Sequence, residues 1–216
     1  MATGLRISLA QLAPEAAAWT PEWEAAQVFP VRFPCTEEEY LSLDDNLLLE
    51  YSDGFLEVLP MPTTVHQLIL AYLYRTLYDW GDSRHLGLVL FAPLKVRLRA
   101  GKVREPDLLF MKRENSRRIG NDYWERPDLV MEVVSANNRR HDLVTKRDEY
   151  ARAGILEYWI VDSEEATITV FVLKPRRQTY VEHGTFAKGR RATSRVLPGF
   201  EVDVTAALEQ KPAGLA

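Results

Sequence analysis

The chain has 216 residues, of which 46% are hydrophobic and 27% are charged, the composition of an ordinary folded domain rather than a disordered or fibrous chain. Its single cysteine excludes an internal disulfide and a multi-cysteine zinc site. The net charge of -4 is unevenly spread, because residues 1–57 carry 11 acids and 2 bases whereas the rest carries 20 acids and 25 bases. An acidic N-terminal part followed by a basic remainder is compatible with a polyanion as partner. A solvated surface of mixed charge is the commoner explanation of such a charge distribution.

The first part of the chain predicts an extension, a short helix and a hairpin. We interpret residues 1–30, rich in Ala, Pro, Glu and Trp, as an N-terminal extension without the pattern of a secretory signal. Thr36 followed by Glu39 is a capping box, which predicts a helix that runs to about Leu43. The Asp53-Gly54 pair between two apolar runs favours a tight hairpin turn.

Helices and strands alternate in the rest of the chain. A long helix is predicted from about Thr63 to Gly81, and a second helix over residues 141–153 ends at Gly154, a typical C-cap. The predicted strands are Gly87–Phe91, Lys95–Leu98, Pro106–Met111, Leu129–Val134, Tyr158–Val161, Ala166–Leu173 and Thr179–Glu182, with a segment Phe200–Val204 that closes the sheet. This order predicts an α/β fold with a mixed central β-sheet and flanking helices over residues 31–205, followed by a tail over residues 206–216.

One predicted strand carries a charge among apolar residues. In Leu129–Val134 the exception is Glu132, which alternation places on the same face as Val130 and Val134. Both faces of this strand are expected to be buried, so the carboxylate must be paired or must bind a metal. A buried pair with one of the many arginines and a metal site fit this pattern equally well.

Asp107 follows Pro106 at the start of the preceding strand. A turn or strand-edge aspartate is its ordinary interpretation. Strands that are neighbours in sequence usually lie close in space, which would bring Asp107 near Glu132. Two carboxylates in an apolar setting repel each other unless a cation lies between them. Hard carboxylate oxygens suit Mg²⁺ or Mn²⁺, so the pair predicts a divalent metal site.

The second predicted helix adds a lysine. Asp142, Lys146 and Tyr150 are spaced at i, i+4 and i+8 and therefore share one stripe. Because the helix follows the strand of Glu132 directly, Lys146 cannot lie far from that carboxylate. The ordinary alternative is a surface lysine paired with Asp142 or Glu149.

Taken together, these elements resemble the PD-(D/E)XK nuclease superfamily. The third position of its (D/E)XK triplet, usually lysine, is Val134 here, and a known variation moves the lysine to the following helix, where Lys146 stands. More narrowly, residues from about 36 to 165 resemble the Uma2 family of restriction-endonuclease-like proteins. The motifs that carry this resemblance are Thr36–Leu41, Glu50 through Gly54 to His66, Val103–Asp107, Glu132–Ser135, Asp142…Lys146…Tyr150 and Glu157–Asp162.

The resemblance implies a restriction-endonuclease-like fold with a site that uses Mg²⁺ or Mn²⁺. Asp107, Glu132 and the main-chain carbonyl of Val133 would hold the metal, and Lys146 would orient the attacking water or stabilise charge on the phosphate. His66, at the start of the long helix, would contact the phosphate or a metal-bound water. A lone histidine on an amphipathic helix is otherwise more often a packing or capping residue.

Several further residues are weaker candidates for the site. Glu50 and Glu105 are candidates for additional metal contact. Basic residues also cluster in the sequence around Asp107 and near the C-terminus: Lys95, Arg97, Arg99, Lys102, Arg104, Lys112, Arg113, Arg117, Arg118, Lys174, Arg176, Arg177, Lys188, Arg190, Arg191 and Arg195. If several of them reach one face, they form a surface that follows DNA phosphates. We therefore expect DNA as the partner. The single cysteine fits a reducing cytoplasm, and no apolar run is long enough to span a membrane, so we expect a cytoplasmic protein without membrane contact. The sequence leaves open whether the protein forms a homodimer.

Three functions are compatible with the sequence. The leading one is a divalent-metal-dependent endonuclease that hydrolyses DNA phosphodiester bonds, a Mg²⁺-dependent endodeoxyribonuclease. The second is a catalytically silent nuclease-fold domain that binds nucleic acid or a protein partner, which Val134 and the acidic net charge favour. The third is a soluble α/β domain whose carboxylates are structural.

Overall fold

The computed structural model describes residues 32–43, 48–59, 61–134, 139, 141–174 and 176–211. The predicted extension 1–30 and the last five residues of the predicted tail lie outside the described residues. Within the described part, contacts group the chain into two compact units. The first unit contains the residues up to Met61 together with Arg99–Glu105, and the second contains Pro62–Leu98 and the residues from Pro106 onward.

The helices and strands follow the predicted order. The strands are β1 Arg32–Pro34, β2 Leu49–Ser52, β3 Phe55–Val58, β4 Gly87–Phe91, β5 Val96–Arg99, β6 Lys102–Arg104, β7 Leu108–Lys112, β8 Trp124–Glu125, β9 Leu129–Val134, β10 Glu157–Asp162, β11 Thr167–Lys174, β12 Thr179–Ala187, β13 Arg191–Thr193 and β14 Glu201–Asp203. The α-helices are α1 Glu37–Ser42, α2 Thr64–Leu77, α3 Arg147–Ala153 and α4 Val204–Leu208. Two π-helical segments, Tyr78–Asp82 and His141–Lys146, and one 3₁₀ helix, Arg113–Arg118, complete the described elements.

The first unit is a small antiparallel sheet with one helix. Its strands pair in the order β1-β3-β2-β6. The predicted capping box is present, since Thr36 and Glu39 bond each other's main-chain N–H groups at the start of α1. The predicted hairpin turn is also present, with positive φ angles of 49° at Asp53 and 94° at Gly54.

A buried ion cluster lies inside the first unit. The Arg104 guanidinium is almost completely buried and contacts Glu50 at 2.7 Å and Glu57 at 3.0 Å. Lys102 is buried too and bonds the Ser52 hydroxyl. The expectation that Lys102 and Arg104 lie on a DNA-facing surface is therefore wrong, because both are buried among the strands of this unit.

The second unit contains a six-stranded mixed sheet in the order β12-β11-β10-β9-β7-β4. Strands β9 and β10 are parallel, and the other neighbours are antiparallel. The predicted mixed α/β class is confirmed. The predicted closure of this sheet by residues 200–204 is wrong, because β14 pairs with the short strand β13 in a separate two-stranded sheet.

Helices cover both faces of the six-stranded sheet. On one face, Ile69, Leu73 and Leu77 of α2 pack in a core with strand residues such as Phe110 and Trp159. On the other face, a second core joins Tyr150 of α3 to Val130, Val134, Tyr158 and Ile160. α3 ends as predicted at Gly154, whose φ of 81° is left-handed and suits glycine. None of the described helices is long and apolar enough to cross a membrane.

Replacement of the buried arginine should destabilise the protein strongly. In Arg104→Met, Glu50 stays buried without its guanidinium and Glu57 keeps only the exposed Arg32, so we expect the free energy of unfolding to fall by about 3–5 kcal/mol. Arg99→Met is the matched control, because Arg99 pairs with Asp53 in an exposed position and should contribute no more than about 1 kcal/mol. Urea denaturation of the two variants checks this, and equal losses would contradict a structural role for Arg104.

Candidate active site

Asp107 and Glu132 lie close together on neighbouring strands of the six-stranded sheet, toward the end where β7 begins and β9 finishes. Leu108, the first residue of β7, is opposite Met131 of β9, so Asp107 stands beside the next residues of β9. Its Oδ2 accepts a hydrogen bond of 2.7 Å from the main-chain N–H of Val133. The N–H and C=O of a strand residue point to the same side, so the Val133 carbonyl also faces the start of β7.

The Glu132 carboxylate is buried and is held from the helix side. Lys146 Nζ donates to its Oε1 at 3.1 Å, and the Tyr150 hydroxyl donates to the same oxygen at 2.6 Å. No described residue hydrogen-bonds the second oxygen, Oε2. Lys146 is itself only 4% exposed, so it is not the surface lysine of the ordinary alternative.

Asp142 joins the same cluster, although its sequence pattern indicated only a partner for Lys146. Its Oδ1 lies 3.2 Å from Lys146 Nζ, and the side chain is buried. Asp142 and Lys146 belong to the π-helical segment that precedes α3, where the sequence predicts a single α-helix. In the sequence, the spacing of Asp142, Lys146 and Tyr150 was the one feature that could have indicated that Asp142 belongs to the cluster. Spacing alone does not distinguish a site residue from a surface partner of Lys146.

The electrostatics of the cluster favour protonated carboxyls. Burial is the main cause that raises the pKa of Glu132 to about 8, while Lys146 opposes the rise and Asp107 and Asp142 add to it. Burial likewise raises the pKa of Asp142, with Lys146 again opposing and Asp107 adding to the rise. Glu132 and Asp142 both contact Lys146, and Asp107 raises the pKa of both, so ionising all three carboxyls would leave more negative charge than Lys146 balances.

His66 approaches the cluster from the other face of the sheet. Thr63 caps the N-terminus of α2 through the His66 N–H, which places the imidazole at the end of the helix. His66 Nε2 lies 3.2 Å from Asp107 Oδ1. Nε2 is buried and, apart from this approach to Asp107, meets no polar partner among the described residues.

The remaining sequence candidates have other surroundings. Glu50 contacts Arg104, and Glu105 accepts hydrogen bonds from the Tyr40 hydroxyl and the Leu49 N–H, all within the first unit. Strand register places Lys112 at the end of β7 farthest from Asp107, so Lys112 and the 3₁₀ helix after it do not flank the site. The expectation that the basic residues after Asp107 flank the site is wrong, because they lie at or beyond the far end of β7.

The second unit is thus a mixed sheet flanked by helices, with Asp107, Glu132 and Lys146 close together. The structure is similar to the crystal structure of a protein described as a putative nuclease belonging to DUF820 from Anabaena variabilis ATCC 29413. The TM-score is 0.64 and the identity 16%, and the match covers 81% of this chain and 98% of that chain. This likeness shows the fold.

The sequence assigns the chain to a family. The model of the Uma2 family, described as "putative restriction endonuclease", matches residues 37–205. The chain belongs to the Uma2 family, and the resemblance noted from its motifs is confirmed. No curated protein matches the chain.

The raised pKa of Glu132 predicts how stability depends on pH. A carboxyl whose pKa is about 8 in the folded protein and near 4.5 in the unfolded chain stabilises the folded state below pH 4.5, and this contribution is lost as the pH rises toward 8. With EDTA present, the free energy of unfolding should therefore decrease over this window, by up to about 1.4 kcal/mol per pH unit for this group.

Glu132→Gln should reduce that slope and leave the fold intact, because the amide does not ionise. Exposed Glu114 lies outside the cluster, so Glu114→Gln is the control and should keep the wild-type slope. Urea midpoints measured from about pH 5 to about pH 8 check this. The same slope in wild type and Glu132→Gln would show that Glu132 does not titrate in this range.

Proposed function

We propose that this Uma2 protein is a divalent-metal-dependent endonuclease that hydrolyses DNA phosphodiester bonds. The observation that carries the proposal is the meeting of Asp107, Glu132 and Lys146 at one sheet edge. These groups come from two strands and a helix, and they are the metal-binding carboxylates and the lysine that the family resemblance implies.

The donor set fits Mg²⁺ or Mn²⁺. Asp107 Oδ1, Glu132 Oε2 and the Val133 carbonyl are hard oxygen ligands, which these ions prefer. Neither of the two hydrogen bonds to Glu132 uses Oε2, and the Val133 N–H orients Asp107 through its other oxygen, Oδ2. Once its carboxyls are ionised, the cluster carries more negative charge than Lys146 balances, which favours a bound cation. Asp142, close to Lys146, would hold the lysine rather than the metal.

A divalent cation bound there supplies Lewis-acid polarisation of the phosphodiester and makes water a better nucleophile. The protein's own residues would orient the reactants. Lys146 Nζ, which Glu132 and Asp142 hold in place, would donate to a phosphate oxygen as negative charge develops there. Tyr150 would keep Glu132 in position through its hydroxyl. His66 Nε2 would contact the phosphate or the attacking water from the opposite face.

A second function has one observation in its favour. Val134 stands where the superfamily usually has lysine, and it is buried in the apolar core beside Tyr150. A nuclease-fold domain that binds nucleic acid or a protein partner without catalysis would tolerate this residue. The two candidates differ in one result, which is whether the wild-type protein cleaves DNA when the metal is bound.

Metal binding can be measured separately from activity. Isothermal titration with Mn²⁺ should show binding by the wild-type protein, and Asp107→Asn and Glu132→Gln should each weaken it by at least about tenfold. Binding should strengthen as the pH rises toward 8, because Glu132 must lose its proton first. Glu114→Gln is the matched control and should bind like the wild type. Unchanged binding by both ligand variants would remove the proposed site.

Cleavage tests the role of Lys146. With supercoiled and linear duplex DNA and saturating Mg²⁺ or Mn²⁺, Lys146→Met should lower the cleavage rate by about 10²–10³-fold, because the variant has no donor for the developing charge. Saturating metal is used because loss of the ammonium removes a competitor for Glu132 but also raises the pKa of Glu132 further. Exposed Lys188 pairs with Glu209, and Lys188→Met is the control that should cleave normally. A wild-type protein that binds Mn²⁺ but leaves DNA intact would support the silent domain instead.

A further inference from the structure

A group of exposed cations lies at the end of the six-stranded sheet opposite the candidate active site. Strand register brings the start of β9 at Leu129 next to the start of β10 at Glu157, and β10 next to the end of β11. The end of β7 at Lys112 lies at this same end, two residues past the pairing of Phe110 with Leu129. The segments that enter and leave these strands therefore meet at one edge.

These segments carry exposed basic side chains. We call them the basic rim, which consists of Arg113, Arg117, Arg126, Lys174, Arg176 and Arg177. Arg113 and Arg117 follow β7, Arg126 precedes β9, and the other three lie at the turn between β11 and β12. All six side chains are exposed, and none forms an ion pair with a residue that the structure describes.

Several cations away from the rim are paired with acids, although exposed Arg75 and Arg190 form no ion pair with a described residue either. Arg139 pairs with Asp162 at 2.7 Å, beside the C-terminal end of β10. Lys188 pairs with Glu209 at 3.0 Å and Arg191 with Glu201 at 2.6 Å, also away from the rim. Charges that are paired within the chain are poor at attracting a partner, whereas unpaired ones keep their full field.

The acidic residues in the segments that carry the rim are too few to balance its positive charge. Asp128 and Glu157 are buried, and each is used by the fold. Asp128 accepts bonds from the Lys112 N–H and Asn115, and Glu157 accepts from Trp159, Ser194 and the N–H groups of residues 195 and 196. Glu114, Asp122 and Glu125 are the exposed acids among the described residues of these segments, against six exposed bases.

The dimensions of the rim suit a polyanion. From β7 to β11 there are three strand spacings, about 14 Å, and duplex DNA carries about eight phosphate charges over that length. A row of guanidinium and ammonium groups over this distance matches the regular charges of a DNA backbone better than the single charge of a small ligand.

We infer that the basic rim is a second DNA-binding surface, separate from the candidate active site, that holds the backbone of another duplex segment. The inference rests on the proposed function for the identity of the polyanion. The length of β7 lies between Asp107 and Arg113, so the rim and the candidate active site are at opposite ends of that strand. Contacts made through phosphates alone predict binding without sequence preference.

Binding without metal tests the rim alone. The rim variant changes Arg113, Arg117, Arg176 and Arg177 to Gln, and the control changes Arg75, Lys188, Arg190 and Arg191 to Gln, so the net charge changes equally in both. Fluorescence anisotropy with a labelled duplex in EDTA at low salt should show affinity reduced by at least about tenfold for the rim variant. Its salt dependence should be shallower, by about 0.9 in the log–log slope for each phosphate that the variant no longer neutralises. The control should bind within about twofold of the wild type.

Three outcomes would overturn the inference. The first is equal DNA affinity of the rim variant and the wild type. The second is a reduction of DNA affinity in the control as large as that in the rim variant. The third is binding of the wild-type protein to anionic lipid vesicles with no binding to DNA. Glu132→Gln separates this inference from the proposed function, because it should abolish cleavage and keep the rim-dependent binding in EDTA. Absence of cleavage with intact rim binding overturns the proposed function alone. Cleavage by the wild type with no effect of the rim variant on binding overturns the rim alone.

Discussion

The buried carboxylate of Glu132 is the constraint on which the arrangement of the site depends. A charge inside a sheet that is covered on both faces costs several kcal/mol unless other groups compensate it. Lys146 and Tyr150 provide this compensation through one oxygen. Asp107 and Asp142 work against it, since both raise the pKa of Glu132. The cluster consequently favours a proton on Glu132, and a metal bound at the proposed site would have to displace that proton.

Other buried acids of the chain show the difference between a structural and a candidate functional carboxylate. Glu157 receives four hydrogen bonds, including two from main-chain N–H groups, and it joins the segment at residues 194–197 to β10. Glu50 and Glu57 share the guanidinium of Arg104. The donors around Glu157 satisfy both of its oxygens, so this carboxylate stabilises the fold. At the Glu132 cluster, Glu132 and Asp142 both contact one lysine, and Glu132 Oε2 receives no hydrogen bond from a described residue.

In the second unit, carboxylates and exposed arginines lie at opposite ends of the same strands. The edge that contains Asp107 and Glu132 combines carboxylates with one buried lysine, whereas the opposite edge presents exposed arginines that have no acid partner in the described part of the chain. The two surfaces lie at opposite ends of the same strands, so residues only a few positions apart along β7 or β9 belong to different surfaces. Asp107 and Arg113 are close in sequence, but the length of β7 lies between them. In a nuclease this arrangement would keep the binding of a second DNA segment independent of the metal.

Local patterns in the sequence determined much of this protein. The capping box at Thr36, the Asp53-Gly54 turn and the Gly154 cap depend on neighbouring residues only, and an isolated Glu132 in an apolar strand already required a partner or a metal. The tertiary structure decided which groups meet. Asp142 entered the cluster, Arg104 became buried with two glutamates, and β14 paired outside the main sheet, because strand order and register bring together residues distant along the chain. No local periodicity encodes that order, so the chemistry of each charged residue was settled only when the sheet was assembled.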